Sequence, residues 1–226
     1  GNIDLTTATT SNVASFVAAN AASGGSIKYR DTDALSITSV SADGTLFSAV
    51  NNLATTNGDI TLVSGALTIN QGIAAGTGTV RISASGSITQ SSTGSITGSS
   101  LGLRATSGNV DLTTSTANNV ETLYAVDSAA GGFVKYRDAD GFSVGSVSAD
   151  GTLFTATNGV TTANGGTSTN GTAATTGNDV TLVGGAIAVN QAINAGTATV
   201  RMNAAGGVSQ TSTGVITASS VGVRNA

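Results

Sequence analysis

The residues able to do chemistry in this chain are mainly carboxylates, and they come in pairs. Asp31 and Asp33 stand two apart, and the arrangement returns at Asp138 and Asp140. On an extended strand that spacing puts both side chains on one face, where a calcium ion could sit. The plainer reading is a solvated corner with Lys28 and Arg30 as charge partners, and it is preferred because the Gly-Gly-x-Gly-x-Asp pattern of calcium-binding β-rolls is absent. Asp43 and Asp150 recur in identical surroundings, but a Ser-Ala-Asp-Gly-Thr turn accounts for both without chemistry. A glycosidase or lyase needs a cleft holding several carboxylates or a Lys/Arg base, with aromatics to stack sugars. Here 12 acidic residues are spread over 226 positions, beside 3 Tyr and 5 Phe. Two identical copies of a catalytic centre would also rarely persist. The sequence points away from an enzyme, and no catalytic, cofactor-binding or metal-binding residue and no cofactor is assigned.

The other candidates also read as structure. Tyr29 and Tyr136 alternate in phase with Ile27 and Val134, which turns them inward. The glycine-rich segments lack the Lys-Ser/Thr of a phosphate loop. Asn70-Gln71, Asn190-Gln191, Gln90 and Gln210 read as corner or stacking amides. Arg81, Arg104, Arg201 and Arg224 flank apolar strand residues and are expected to project outward, discouraging sideways sheet pairing.

The elements that must position these residues are set by duplication. Residues 39–47, Ser-Val-Ser-Ala-Asp-Gly-Thr-Leu-Phe, return unchanged at 146–154, and 1–47 match 108–154 at 28 positions. Internal repeats are therefore read before anything else. Two units follow, 1–107 and 108–226, with the offset rising from 107 to 120 by Asp59/Asp179. The extra residues form an expected surface loop at about 158–172, rich in Asn-Gly. Within each unit, short alternating segments such as Asp59-Ile60-Thr61-Leu62-Val63 and Thr79-Val80-Arg81-Ile82 are broken by Gly/Asn/Ser/Asp corners. Asp43-Gly44 reads as a turn from which Thr45-Leu46-Phe47 leaves as a further strand. Leu35, Ile37 and Val40 read as one core face. The anchors Ile3, Ile27, Leu46, Ile60, Val80, Leu101 and Val110 are spaced about 20 apart, the scale of solenoid coils, which predicts roughly ten coils.

Composition agrees with ordered β structure. Charged residues are 9 %, aromatics 4 %, and Pro, Cys, Trp and His are all absent. Abundant Thr, Val and Ile suit a pleated half-buried surface, and the absence of Pro suits a backbone whose N–H groups join ladders. Zero Cys removes disulfides and thiolate metal sites. The net charge of −4 gives no basic footprint for nucleic acid, and no apolar run is long enough to insert in a bilayer. Gly1-Asn2-Ile3-Asp4 carries neither Met nor a leader pattern, as expected of a piece of something longer. The fold expected is all-β: a right-handed parallel β-helix made of two tandem repeats of about 107–119 residues, with a duplicated antiparallel sandwich as its rival.

The strings Gly58-Asp59-Ile60-Thr61-Leu62, Gly86-Ser87-Ile88-Thr89-Gln90 and Gly108-Asn109-Val110-Asp111-Leu112-Thr113 resemble the repeats of large bacterial exoproteins. These are the filamentous-haemagglutinin-type adhesins of two-partner secretion and the related β-strand-repeat proteins, and the resemblance runs over essentially the whole chain. It implies a β-helix shaft, an extracellular or cell-surface location, and a part in adhesion, aggregation, biofilm or filament formation. The partners expected are further copies of the repeat, stacked end to end, and a host or neighbouring-cell surface. A carbohydrate-binding or carbohydrate-active β-helix is the alternative. An ice-binding solenoid built on Thr77, Thr79, Thr197 and Thr199 is a weaker one.

Overall fold

Alternating apolar residues, small corners and no proline favour strands that hydrogen-bond to the coil above and the coil below. The computed structural model, which describes residues 1–162 and 178–225, has that architecture: an all-β parallel solenoid of about nine turns, without helix. One row of partners follows the axis from Ile3 to Ile27, Ile60, Val80, Leu101, Leu123, Val144, Val189 and Gln210. A second runs from Leu35 through Leu67, Ile88, Val110, Val134, Val180 and Val200 to Val221. A third column stacks Leu53, Ile73 and Ile96. At about 4.8 Å per coil, nine turns make a rod about 40 Å long. The expected ten coils become nine because excursions lengthen some turns, the step from Ile27 to Ile60 among them.

Apart from Gln210, exposed at the end of the first row, every residue named in these rows is aliphatic, and Ile27, Ile60, Leu62, Leu101, Leu103 and Val180 are fully buried. No coil could bury these side chains alone; each is closed by its neighbours. Tyr29 and Tyr136 do point inward: Tyr29 stacks on Phe16 at 4.1 Å, and Tyr136 meets Phe142 edge-on at 5.2 Å. The ladders continue across the junction between residues 107 and 108 without a break. They also shift there. Val110, the counterpart of Ile3, stacks on Ile88 in the second column and not in the row of Ile3. Counting Ile3, Ile27, Ile60, Val80 and Leu101 as successive starts, one unit spans four turns and one face.

Three expectations about the duplicated stretch need correction. Residues 40–50 are not a core strand: Val40 pairs antiparallel with Val50, and Asp43 with Phe47, making a hairpin that leaves the solenoid. Leu46, read as a core anchor, is 90 % exposed at its tip, and Val40 is also at the surface. In the second unit Ser146–Val147 pairs antiparallel with Thr157–Asn158, closing the equivalent hairpin. Gly44 and Gly151 take the tip at φ +52° in both copies, a left-handed conformation natural to glycine. The expected insertion at 158–172 begins in strand, since Thr157–Asn158 and Val160–Thr162 are extended; its remainder lies outside the described residues.

Candidate interaction surface

Along the first face the outward side chains form their own row: Lys28, Thr61, Arg81, Gly102 and Tyr124. The second hairpin lies back along that row, across five coils. Near its base Val147 and Phe154 pack on Tyr124, the Phe154 ring edge-on to Tyr124 at 6.0 Å. Gly102 is what lets the ring approach, since a Cβ there would stand 2.7 Å from Phe154 Cζ. Midway, the Arg81 guanidinium donates to the Ser148 carbonyl at 2.7 Å and to Ser148 Oγ at 2.6 Å, while also pairing with Asp59 at 2.7 Å. At the tip Asp150 accepts from Lys28 Nζ at 2.5 Å and from Thr61 Oγ1 at 2.7 Å. Burial pushes the Asp150 carboxyl up, but the bonds from Lys28 and Thr61 and the charges of Lys28 and Arg81 outweigh it, holding it below the usual carboxylate range. Arg81 does project outward, as the sequence suggests, yet it is covered by the hairpin and its side chain is 5 % exposed. The matching Arg201 keeps the same bond to Asp179, at 2.5 Å, with 52 % of its side chain exposed.

The Asp-x-Asp pairs are used differently from either reading of the sequence. Asp31 and Asp138 are buried, not solvated. Asp138 accepts from Tyr136 Oη at 2.6 Å and from the backbone N–H of Val120 and Asp140. Asp31 repeats this with Tyr29, Val13 and Asp33. Asp33 and Asp140 each accept from an asparagine one coil earlier, Asn12 and Asn119. The carboxylates are thus corner braces, and Lys28 belongs to Asp150. Burial raises the Asp138 carboxyl, with the bonds from Tyr136, Val120 and Asp140 pulling the other way. Burial, then the bond to Asp31, pushes the Tyr29 hydroxyl up to about 12.

Two of the expected corner amides, Gln90 and Gln210, each bond a backbone carbonyl four residues on, that of Gly94 and that of Gly214. Gln90 and the buried Asn118 exchange two hydrogen bonds of 3.0 Å. Thr79 stacks on Ser100 and Thr199 on Ser220, so no threonine column forms there. Among the described residues no group of three or more carboxylates could hold a metal ion. One open groove is lined by Thr106, Ser107, Gly108, Asn109, Ala129 and Gly132, none of them charged. The sequence reading missed the hairpin contacts with Lys28, Thr61, Arg81 and Gly102. The available signal was that nine unchanged residues are more than an Asp-Gly turn requires.

Comparison with known proteins adds nothing to this geometry: no family profile, no curated protein and no solved structure matches the chain.

Proposed function

We propose that this chain is a structural shaft segment of a secreted bacterial surface fibre of the filamentous-haemagglutinin type, acting in adhesion, aggregation or matrix formation. The observation that carries the reading is the uninterrupted row of parallel partners from Ile3 to Gln210, which passes through both repeat units without a joint. A hinged pair of domains would bend between its halves; a shared ladder resists bending because every coil is bonded to the next. The surface matches that role, with few charges and many hydroxyls, and the buried polar groups brace corners rather than converge on a cleft.

The test is immunogold electron microscopy of the source cells with antibody to this chain. Label along fibres leaving the cell surface is the expected result. Label confined to the cell interior, or turnover of a polysaccharide by the purified chain, would replace this reading with another.

A further inference from the structure

The two hairpins share the sequence of residues 39–47 and 146–154, but their surroundings differ. In the second, Val147 is 3 % and Phe154 1 % exposed; in the first, the matching Val40 is 39 % and Phe47 44 % exposed. The seat differs in the opposite sense. In the first unit Thr61, Arg81 and Gly102 are buried under a hairpin. In the second unit the same row, Lys135, Thr181, Arg201 and Gly222, is aligned by the same pairings and no hairpin among the described residues covers it: Lys135, its ammonium 4.1 Å over the Phe133 ring, and Thr181 are half-buried, and Arg201 and Gly222 are exposed. Among the described residues, one molecule therefore carries an unseated hairpin at one end and an unoccupied seat at the other. The interface between them is already present once within the chain.

We infer that the hairpin of residues 40–50 is a clamp that seats on the second unit of another copy of this chain, along the row Lys135, Thr181, Arg201, Gly222. Asp43 takes the place of Asp150 and meets Lys135 and Thr181. Phe47 takes the place of Phe154 and lies over Gly222, as Phe154 lies over Gly102. The acidic tip faces a cationic row, and the apolar base faces a glycine with nothing within 4 Å of where its Cβ would stand. The contact uses different surfaces on the two copies, so it propagates head to tail and does not close. The same movement brings the open strand edge of Ser220–Asn225 toward that of Ser15–Phe16, as Ser100–Leu101 meets Thr122–Leu123 inside the chain, each of the two edges paired on one side only among the described residues. This deepens the shaft reading and rests on it, since it names the joint by which shafts lengthen.

Sedimentation velocity of the purified 226-residue chain across a concentration series, with electron microscopy of the same samples, tests it. The expected result is concentration-dependent association into unbranched rods. Asp43→Lys raises the concentration needed at least tenfold, and the double variant Asp43→Lys with Lys135→Glu restores it. Gly222→Gln blocks association with an unchanged melting curve, because the added side chain enters open space in the monomer. A chain that stays monomeric to its solubility limit overturns the clamp. So does association that these variants leave unaltered, which would mean the bare end coils adhere by themselves. Small-angle scattering separates the two levels: a rod-like monomer that does not associate discards the clamp alone, whereas a monomer that is not a rod discards the shaft.

Discussion

Asp127 is the most informative single position for stability. Its counterpart in the first unit is Asn20, whose Nδ2 donates to the carbonyls of Gly1 and Ser26 at 2.9 and 3.0 Å, while Oδ1 accepts from Ala22. Asp127 keeps only the last of these bonds, from the Ala129 N–H at 2.9 Å; its Oδ2 is buried without a partner. Desolvation therefore raises the carboxyl from 3.8 to about 6, against the pull of the Ala129 N–H. The folded state holds its proton more tightly than the unfolded chain. Stability from this group is thus fully present below pH 3.8 and is lost as the pH rises through about 6. The gap of about two units corresponds to about 3 kcal/mol at pH 8, trimmed toward about 2 by relaxation of the protein around the ionised group. Asp127→Asn removes that cost and supplies the missing donor for about 1 kcal/mol more. Urea denaturation followed by circular dichroism should show the variant about 3 kcal/mol more stable at pH 8. At pH 4, where the wild-type carboxyl is protonated, the gain should fall below about 1 kcal/mol. An equal gain at both pH values, or a loss at pH 8, would refute the reasoning.

The ion pairs Arg81–Asp59 and Arg201–Asp179 have the same chemistry and different cover. Arg81→Ala should cost about 3 kcal/mol, because it also strips the bonds to Ser148, while Arg201→Ala should cost less than about 1 kcal/mol in the same denaturation assay. Gly94→Ala should destabilise by about 3 kcal/mol or more, since its Cβ would stand 1.8 Å from the Ile69 carbonyl oxygen of the neighbouring coil. Tyr136→Phe, which removes the hydroxyl braced on Asp138, should cost about 1–3 kcal/mol by urea midpoint. Asp150, held below the usual range, contributes stability that is present above its unfolded pKa and disappears as the pH falls through its lower folded value. Amide exchange at Asp150 and Phe154, which bond to each other around the hairpin tip, should therefore quicken in acid before exchange in the strand Ile60–Ser64 does.

Most of the solenoid could be read from the chain because it is built on a local rule. Ile27 with Tyr29, Ile60 with Leu62 and Val80 with Ile82 alternate within a few residues, and each belongs to a row that recurs 20 or 21 positions on, or 33 where the first hairpin intervenes. Leu46 broke the rule. A short apolar pair after an Asp-Gly turn fits a strand as well as a hairpin tip, and only its lack of a stacking partner separates the two. Asp31 was within reach: Tyr29 and Asp31 are two apart on one strand face, so a buried Tyr29 already implied a buried Asp31. Lys28 with Asp150 was not, because 122 positions separate them and the contact depends on how far one unit turns relative to the other.

That turning has a consequence for any array of such units. Because the pattern advances by four circuits and one side, a mark borne once per unit is set like the treads of a spiral stair, and three units pass before it faces the same way again. Neighbouring fibres laid side by side would find matching marks only at every third step, so the arrangement favours lengthening over sideways bundling.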